Sequence, residues 1–297
     1  MKHCPACKSK NITAINNESY AQYQNNSLNQ QGYKLYECRG CGLWFKDSQY
    51  TPHELQEYYS KYIEKHWNYS ARLPHELRID EILKKAPGNA AVLDVGCWTG
   101  RLLKPHTHLK RYGIEPKLES RKIAKDNGLN ILSDFFYENT DLKQQFDFIT
   151  LVDVFEHLSN PIEILDNLIK HLKENGKLII ITGATNAFPV YLSSYTYWYY
   201  SKIPDHIVFL NKKFLHWLES NKRIKIRKQK IRHYKFNFKK RLYELLWLIS
   251  WRFINPNSPF KKSAFSKIFS ARFKNVKEVI ICQTWKDHYF IEVSRKK

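Results

Sequence analysis

The sequence has no apolar run approaching the roughly 18 residues that a membrane span requires, which excludes a bilayer-crossing helix. No secretory leader pattern is visible: Met1-Lys-His-Cys leads straight into a polar segment. The six cysteines are therefore expected in a reducing cytoplasm, where a metal is expected before a disulfide. No internal repeat is present, which excludes a solenoid. Acid is scarce in the last third: residues 201–297 hold 25 Lys or Arg against 6 Asp or Glu, whereas residues 1–200 hold 24 against 22. The net charge of +21 belongs to that third. It suits an anionic partner, whether nucleic acid, an acidic lipid surface or a phosphorylated substrate, and the plain alternative is a solvated basic face.

What is present argues for a folded protein. Apolar residues make up 43% of the chain, which excludes a disordered one. A length of 297 residues suits one large domain, or one with a small module. The module is expected over residues 1–50. Cys4-Pro-Ala-Cys7 and Cys38-Arg-Gly-Cys41-Gly are two knuckles, each able to place two thiolates on one ion. Four soft thiolates suit tetrahedral Zn²⁺, and with all four positions filled the role is structural. Residues 51–87 read as a helical linker, with Thr51-Pro52-His53-Glu54 as a capped start and Tyr58, Tyr59, Tyr62 and Trp67 as packing.

The rest is organised around Val92-Leu-Asp-Val-Gly-Cys-Trp-Thr-Gly100. An apolar run from Ala90 ends in a glycine turn expected to feed a helix. Gly96 and Gly100 allow a sharp turn and close approach of backbone to ligand. Glu115 ends a second apolar strand about twenty residues on, where a carboxylate can meet ribose hydroxyls. Strands are expected at 90–95, 111–115, 129–132, 146–152 and 177–182, alternating with helices, which predicts a doubly wound, mostly parallel sheet. Asn160-Pro161-Ile162-Glu163 starts a helix with Ile164, Leu165, Leu168, Ile169 and Leu172 on one face and Gly176 as its stop. Asp153-Val-Phe-Glu156-His157 follows the fourth strand, at the edge where such sheets bind ligands. A His beside two acids there is a candidate general base.

The glycine stretch resembles the first motif of class I S-adenosylmethionine (SAM)-dependent methyltransferases, with Asp94, Gly96 and Gly100 matching and Trp98 standing where the family has glycine. The resemblance implies a seven-stranded Rossmann-like sheet over residues 88–297. It implies SAM as cofactor, with Asp94, Gly96 and Gly100 shaping its methionine and ribose side. Glu115 is implied on the ribose, Asp134 at the adenine amino group and Asp153 near the methionine end. Phe146 through His157-Leu158 with Asn160-Pro161 is similar to the Glu-His motif of small-molecule methyltransferases, including quinone and sugar enzymes, which gives Glu156 and His157 catalytic roles. Tyr197-Trp198-Tyr199-Tyr200 with Pro204-x-His206 resembles a segment over the active site of surface-polysaccharide and lipid-pathway methyltransferases. That implies an aromatic cover over 188–210, with Tyr197 and His206 contacting substrate.

The expected activity is methyl transfer to a hydroxyl of a sugar, glycan or lipid-linked envelope precursor. A ribosomal RNA methyltransferase is the alternative, since a zinc ribbon and positive charge suit RNA. A non-catalytic RNA- or membrane-binding protein that kept the fold is a third reading, prompted by Trp98. Residues 239–254, with basic ends and an apolar face, suit a helix lying on an anionic membrane, at the inner face of which the cytoplasmic protein would then dock. The helical insertion runs over 239–275, and its residues 255–275 have no legible role.

Overall fold

A computed structural model describes residues 3–16, 34–47, 50–61, 73–187, 200, 205–232, 237–239, 241–242, 244–246 and 285–296. Tyr62, Trp67, Tyr197 and most of 239–275 lie outside the described residues, so the expectations placed on them do too.

The chain begins with β1 (Ile12–Asn16), β2 (Leu35–Cys38) and β3 (Trp44–Lys46), followed by α1 (Pro52–Lys61) and α2 (Pro74–Lys84). Then come β4 (Ala91–Val95), β5 (Lys110–Ile114), α3 (Leu118–Asp126), β6 (Asn130–Ser133), β7 (Phe146–Val152), α4 (Pro161–Lys170) and β8 (Leu172–Gly183). The described chain closes with β9 (Val208–Phe209), α5 (Lys212–Asn221), β10 (Ile224–Ile231) and β11 (His288–Arg295).

Seven strands form one sheet in the order β10-β11-β8-β7-β4-β5-β6. The five strands from β6 to β8 are parallel, and β11 alone runs against its neighbours β8 and β10. This is the doubly wound sheet expected of the class I fold. The order reverses between β4 and β7, so the crevice beyond their carboxyl ends is where a ligand binds. Alternation splits the core into two layers. Leu93, Ile149, Leu178, Ile180 and Ile291 face one side, with α4. Val92, Ile179, Ile181 and Phe290 face the other, against Ile79 and Leu83 of α2. Each fully buried Ile or Leu contributes about 1.5–3 kcal/mol of transfer free energy.

Three local expectations need correction. The glycine turn does not feed a regular helix: residues 101–105 are successive turns. Pro105 has no N–H to extend a helix, and only a few residues remain before β5 begins at Lys110. Helix α4 ends at Lys170, not at Gly176. The His171 carbonyl accepts from the Phe146 N–H at 2.8 Å, which draws Leu172 into pairing with Phe146 and places Gly176 inside β8. Asn160 stands at the α4 cap position without a side-chain cap bond. The Thr51 start does form: its hydroxyl accepts from the Glu54 N–H at 3.2 Å, and the Glu54 carboxylate accepts from the Thr51 N–H at 2.7 Å.

Strand β10, Ile-Lys-Ile-Arg-Lys-Gln-Lys-Ile, was not among the expected strands, although it alternates apolar and basic residues with period two at its start. It is the sheet edge, and its exposed Lys and Arg residues carry part of the basic surplus. Charge on an edge blocks pairing with another chain. The cysteine-bearing strands form a second sheet, β1-β2-β3-β9, whose last strand comes from beyond the seven-stranded sheet's fifth parallel strand. Cys4, Cys38, Leu43 and Phe45 therefore share one apolar cluster with Val208, Leu210 and Phe214.

Candidate functional site

The crevice has two ends. At the first, β4 delivers Gly96 with φ +74°, and a Cβ there would meet Val154 Cγ2 at 2.7 Å, so the close approach requires glycine. The Gly96 and Cys97 N–H groups both donate to the Ile114 carbonyl, at 2.8 and 3.0 Å. This pulls the loop toward the end of β5. Glu115 caps that end: one carboxylate oxygen accepts from the Trp98 N–H at 2.8 Å, the other from the Lys117 N–H at 3.0 Å. Trp98 adopts φ +48°, the left-handed region that a glycine would fill without strain. The loop thus holds a backbone shape suited to glycine with a residue that pays about 1–2 kcal/mol for it. Asp94 is buried, its carboxylate accepting from the Thr150 hydroxyl at 2.6 Å. Asp134 is exposed and accepts from the Gln56 amide of α1 at 3.2 Å.

At the second end, β7 runs into Asp153 (φ +52°) and a single helical turn, Phe155–His157. Asp153 sits between two imidazoles, His75 of α2 at 3.9 Å and His288 of β11 at 3.8 Å. Glu156 is fully buried and accepts from the Thr182 hydroxyl at 2.8 Å and from the Tyr200 hydroxyl. Burial first, then the Asp153 charge, raises its pKa. Burial likewise raises the phenols of Tyr59 and Tyr200, so both stay protonated donors.

His157 and His206 face Glu156 symmetrically, each Nε2 lying 4.0 Å from the same carboxylate oxygen. Their other nitrogens are committed. His206 Nδ1 lies 2.9 Å from the Tyr200 carbonyl. His157 Nδ1 lies 2.7 Å from the Tyr59 hydroxyl oxygen and 3.0 Å from the Asp205 carbonyl. A carbonyl only accepts, so each Nδ1 carries the hydrogen and each Nε2 is bare. The Tyr59 hydroxyl proton goes to the Asp205 carboxylate, at 3.0 Å. Burial holds His206 well below the ordinary histidine range.

The structure thus brings Asp153, Glu156, His157 and His206 together at one end and Asp94, Gly96, Gly100 and Glu115 at the other. Tyr59, His75 and Asp205, which also meet at this end, were not expected there. Pro204-Asp205-His206 was singled out for its histidine, and the acid beside it was the available signal for Asp205. Tyr59 was read as packing because its spacing matched the α1 face.

The four cysteines close a second constellation. Cys4 Sγ lies 3.6 Å from Cys41 Sγ, and Cys7 Sγ lies 3.4 Å from Cys38 Sγ. All four sulfurs fall within 4.8 Å of one another, and no disulfide joins them. A tetrahedral ion with 2.3 Å arms has edges of about 3.8 Å, so the donor set fits Zn²⁺. Hydrogen bonding to Cys41 pulls the Cys4 thiol down to about 5 and pushes Cys41 up, the proton sharing that a dication replaces. Glu156, His157 and His206 also offer one ligand atom each within 4.8 Å, spacing that a divalent cation can span.

Comparison with known proteins supplies the family. Curated relatives include ubiquinone biosynthesis O-methyltransferases of Rickettsia conorii, 30% identical over 126 residues, and of Actinobacillus pleuropneumoniae serotype 5b, 34% identical over 128 residues. These alignments cover 38% and 37% of this chain and 43% and 53% of the relatives, so the chain spans about half the length of the curated relatives it matches. Among solved structures, the plantazolicin methyltransferase BpumL with a substrate analogue and SAH is 14% identical, with a TM-score of 0.44 over 75% of this chain and 83% of that one. A possible histamine N-methyltransferase from Thermotoga maritima is 18% identical, with a TM-score of 0.44 over 75% and 89%. The model of the methyltransferase domain matches residues 66–221, more than half of the sequence. That span runs from α2 through both ends of the crevice to the last residue of α5, and on it the chain belongs to the methyltransferase-domain family.

Proposed function

We propose that the chain transfers the methyl group of SAM to a hydroxyl oxygen of a small acceptor, with His157 as general base. The observation that carries this reading is the committed Nδ1 of His157, which leaves Nε2 bare at the crevice. When bound, SAM supplies a sulfonium methyl open to displacement. The chain's own task is to hold that methyl in line with the oxygen and to take the hydroxyl proton. Asp94, Gly96 and Gly100 would shape the cofactor pocket, Glu115 the ribose, Asp134 the adenine edge and Asp153 the methionine end. Glu156, with its raised pKa, would keep His157 and His206 in place.

An oxygen acceptor is supported by the names of the curated relatives, which are O-methyltransferases. A sugar or lipid-linked precursor remains our reading of the acceptor class. The RNA alternative loses part of its support, because basic residues of β10 are accounted for as edge protection. Zinc at Cys4, Cys7, Cys38 and Cys41 would be structural, since no ligand position is left open.

The test is calorimetry with SAM, followed by incubation of cell fractions with methyl-labelled SAM and the protein. Saturable SAM binding and label in glycan or lipid are expected. An absence of SAM binding sinks the reading, and label confined to RNA moves the acceptor. Metal analysis of the same protein should give about one Zn per chain.

A further inference from the structure

Helix α1 touches both ends of the crevice. Thr51 and Glu54 fix where it starts, and Leu55 buries one face in the apolar cluster that holds Cys4, Cys38 and Phe45. Gln56 and Tyr59 are three residues apart, so they share a face. The Gln56 amide donates to the Asp134 carboxylate at 3.2 Å, and its oxygen accepts from the Tyr137 hydroxyl. One turn on, the Tyr59 hydroxyl oxygen lies 2.7 Å from His157 Nδ1 and 3.0 Å from the Asp205 carboxylate. The match to the methyltransferase domain begins at residue 66, so α1 comes from outside the matched span.

The contacts of Tyr59 have one consistent polarity. Burial raises its phenol well above the ordinary value, so it keeps its proton. The Asp205 carboxylate takes that proton, which leaves the phenol oxygen as an acceptor. His157 Nδ1 faces that oxygen at 2.7 Å, the Asp205 carbonyl at 3.0 Å and the Asp205 carboxylate at 3.4 Å. The tyrosine contact is the shortest of the three. The phenol also stands edge-on to the imidazole, with ring centroids 5.4 Å apart and planes at 78°. Hydrogen bond and ring contact together limit the swing of the imidazole. Hydrogen bonds in such a chain polarise one another, so the Asp205 charge reaches the ring through the phenol.

We propose that Tyr59 is a positioning residue of the acceptor site: its hydroxyl, with the proton turned to Asp205, accepts the hydrogen of His157 Nδ1 and holds the ring with Nε2 bare at the crevice, and α1 is the strap that keeps it there. This deepens the methyltransferase reading and rests on it. Tyr59 touches no reacting atom. It acts through His157, in the place that a carboxylate takes against the imidazole of a hydrolase triad, with the phenol set between the two. Gln56 ties the same helix to Asp134, so the strap is held at a second point.

The test uses the full-length chain with Tyr59→Phe, Asp205→Asn and the two together. Three readouts are taken on each. They are SAM affinity, label transfer from SAM into the fraction that the wild type labels, and the Nδ1–H proton resonance of ring-labelled histidine at about pH 8, above the ordinary histidine range. The His157 resonance is identified by its absence in His157→Gln. Tyr59→Phe removes one oxygen and keeps the ring. It should keep SAM affinity, move the Nδ1–H resonance upfield as its shortest acceptor is lost, and lower turnover about tenfold, the effect of one neutral hydrogen bond. Asp205→Asn should move the resonance the same way. It should lower turnover on the order of 10²-fold, less than the ~10⁴-fold seen when a directly orienting carboxylate is replaced. The double variant should be no slower than Asp205→Asn, because residues that act as one unit are not additive. An unmoved resonance in Tyr59→Phe overturns the proposal, and so does a double variant whose two losses multiply. If Tyr59→Phe fails to fold, Asp205→Asn decides by the same resonance. Failure of the wild type to bind SAM refutes methyl transfer instead, while the resonance still judges the positioning.

Discussion

The two ends of the crevice are built in different ways. The end around Glu115 comes from Asp94 to Asp134, a stretch of about forty residues, and its shape is mostly backbone: two glycines at positive φ, N–H groups on a strand-end carbonyl, one carboxylate as clasp. The end around His157 is assembled from Tyr59, His75, Glu156, His157, Tyr200, Asp205, His206 and His288, drawn from α1, α2, β11, the turn after β7 and the segment before β9, and its shape is side chains. A site of the first kind tolerates an odd residue if the backbone can still turn, as Trp98 does. A site of the second kind depends on every element that carries one of its parts.

The sharpest way to break this contrast is at His157. His157→Ala should leave SAM affinity unchanged and lower turnover by about 10²–10⁴-fold, the loss expected of a general base. A proportionate loss of SAM binding would mean that the two ends are not separable.

The converse change is Glu115→Ala. It should weaken SAM binding by about 1.5–3 kcal/mol, the range for a hydrogen bond to a charged group, measured by calorimetry. The His157 ring spectrum should stay as in the wild type. Unaltered affinity would show that the clasp serves the loop alone.

The smallest expected effect is on stability against pH. His206 is held below its unfolded value of 6.5 by burial. Its contribution is therefore present in full above pH 6.5 and lost as the pH falls below that toward the depressed folded value. The unfolded chain takes the proton first, so the slope is at most about 1.4 kcal/mol per pH unit. Urea unfolding at several pH values should show the wild type losing stability faster than His206→Gln on the acid side. Parallel curves would place His206 in a wetter setting than its 6% exposure implies.

The same contrast decides what could be read from the sequence. Asp94-x-Gly96 and Glu115 were legible because local spacing alone sets a strand, a turn and a strand end. The parallel strands were legible because burial on both faces leaves apolar runs. The successive turns after Gly100 were not, since Pro105 breaks a pattern that looks helical. Glu156, His157 and His206 could be singled out because they sit in two short motifs. Tyr59 was not, because a tyrosine on a helix face acquires a role only from partners 98 and 146 residues away. Tyr197 lies outside the described residues.

Strand β9 has one more consequence, in time rather than in space. Phe45 leaves the ribosome about 160 residues before its partner Val208. At about 5–20 residues per second, that interval is roughly ten to thirty seconds. Throughout it β3 presents an unpaired edge. An early ion would give the nascent ribbon a shape that waits for β9. A late one would leave its four thiols and open edge exposed while five parallel strands are still being made.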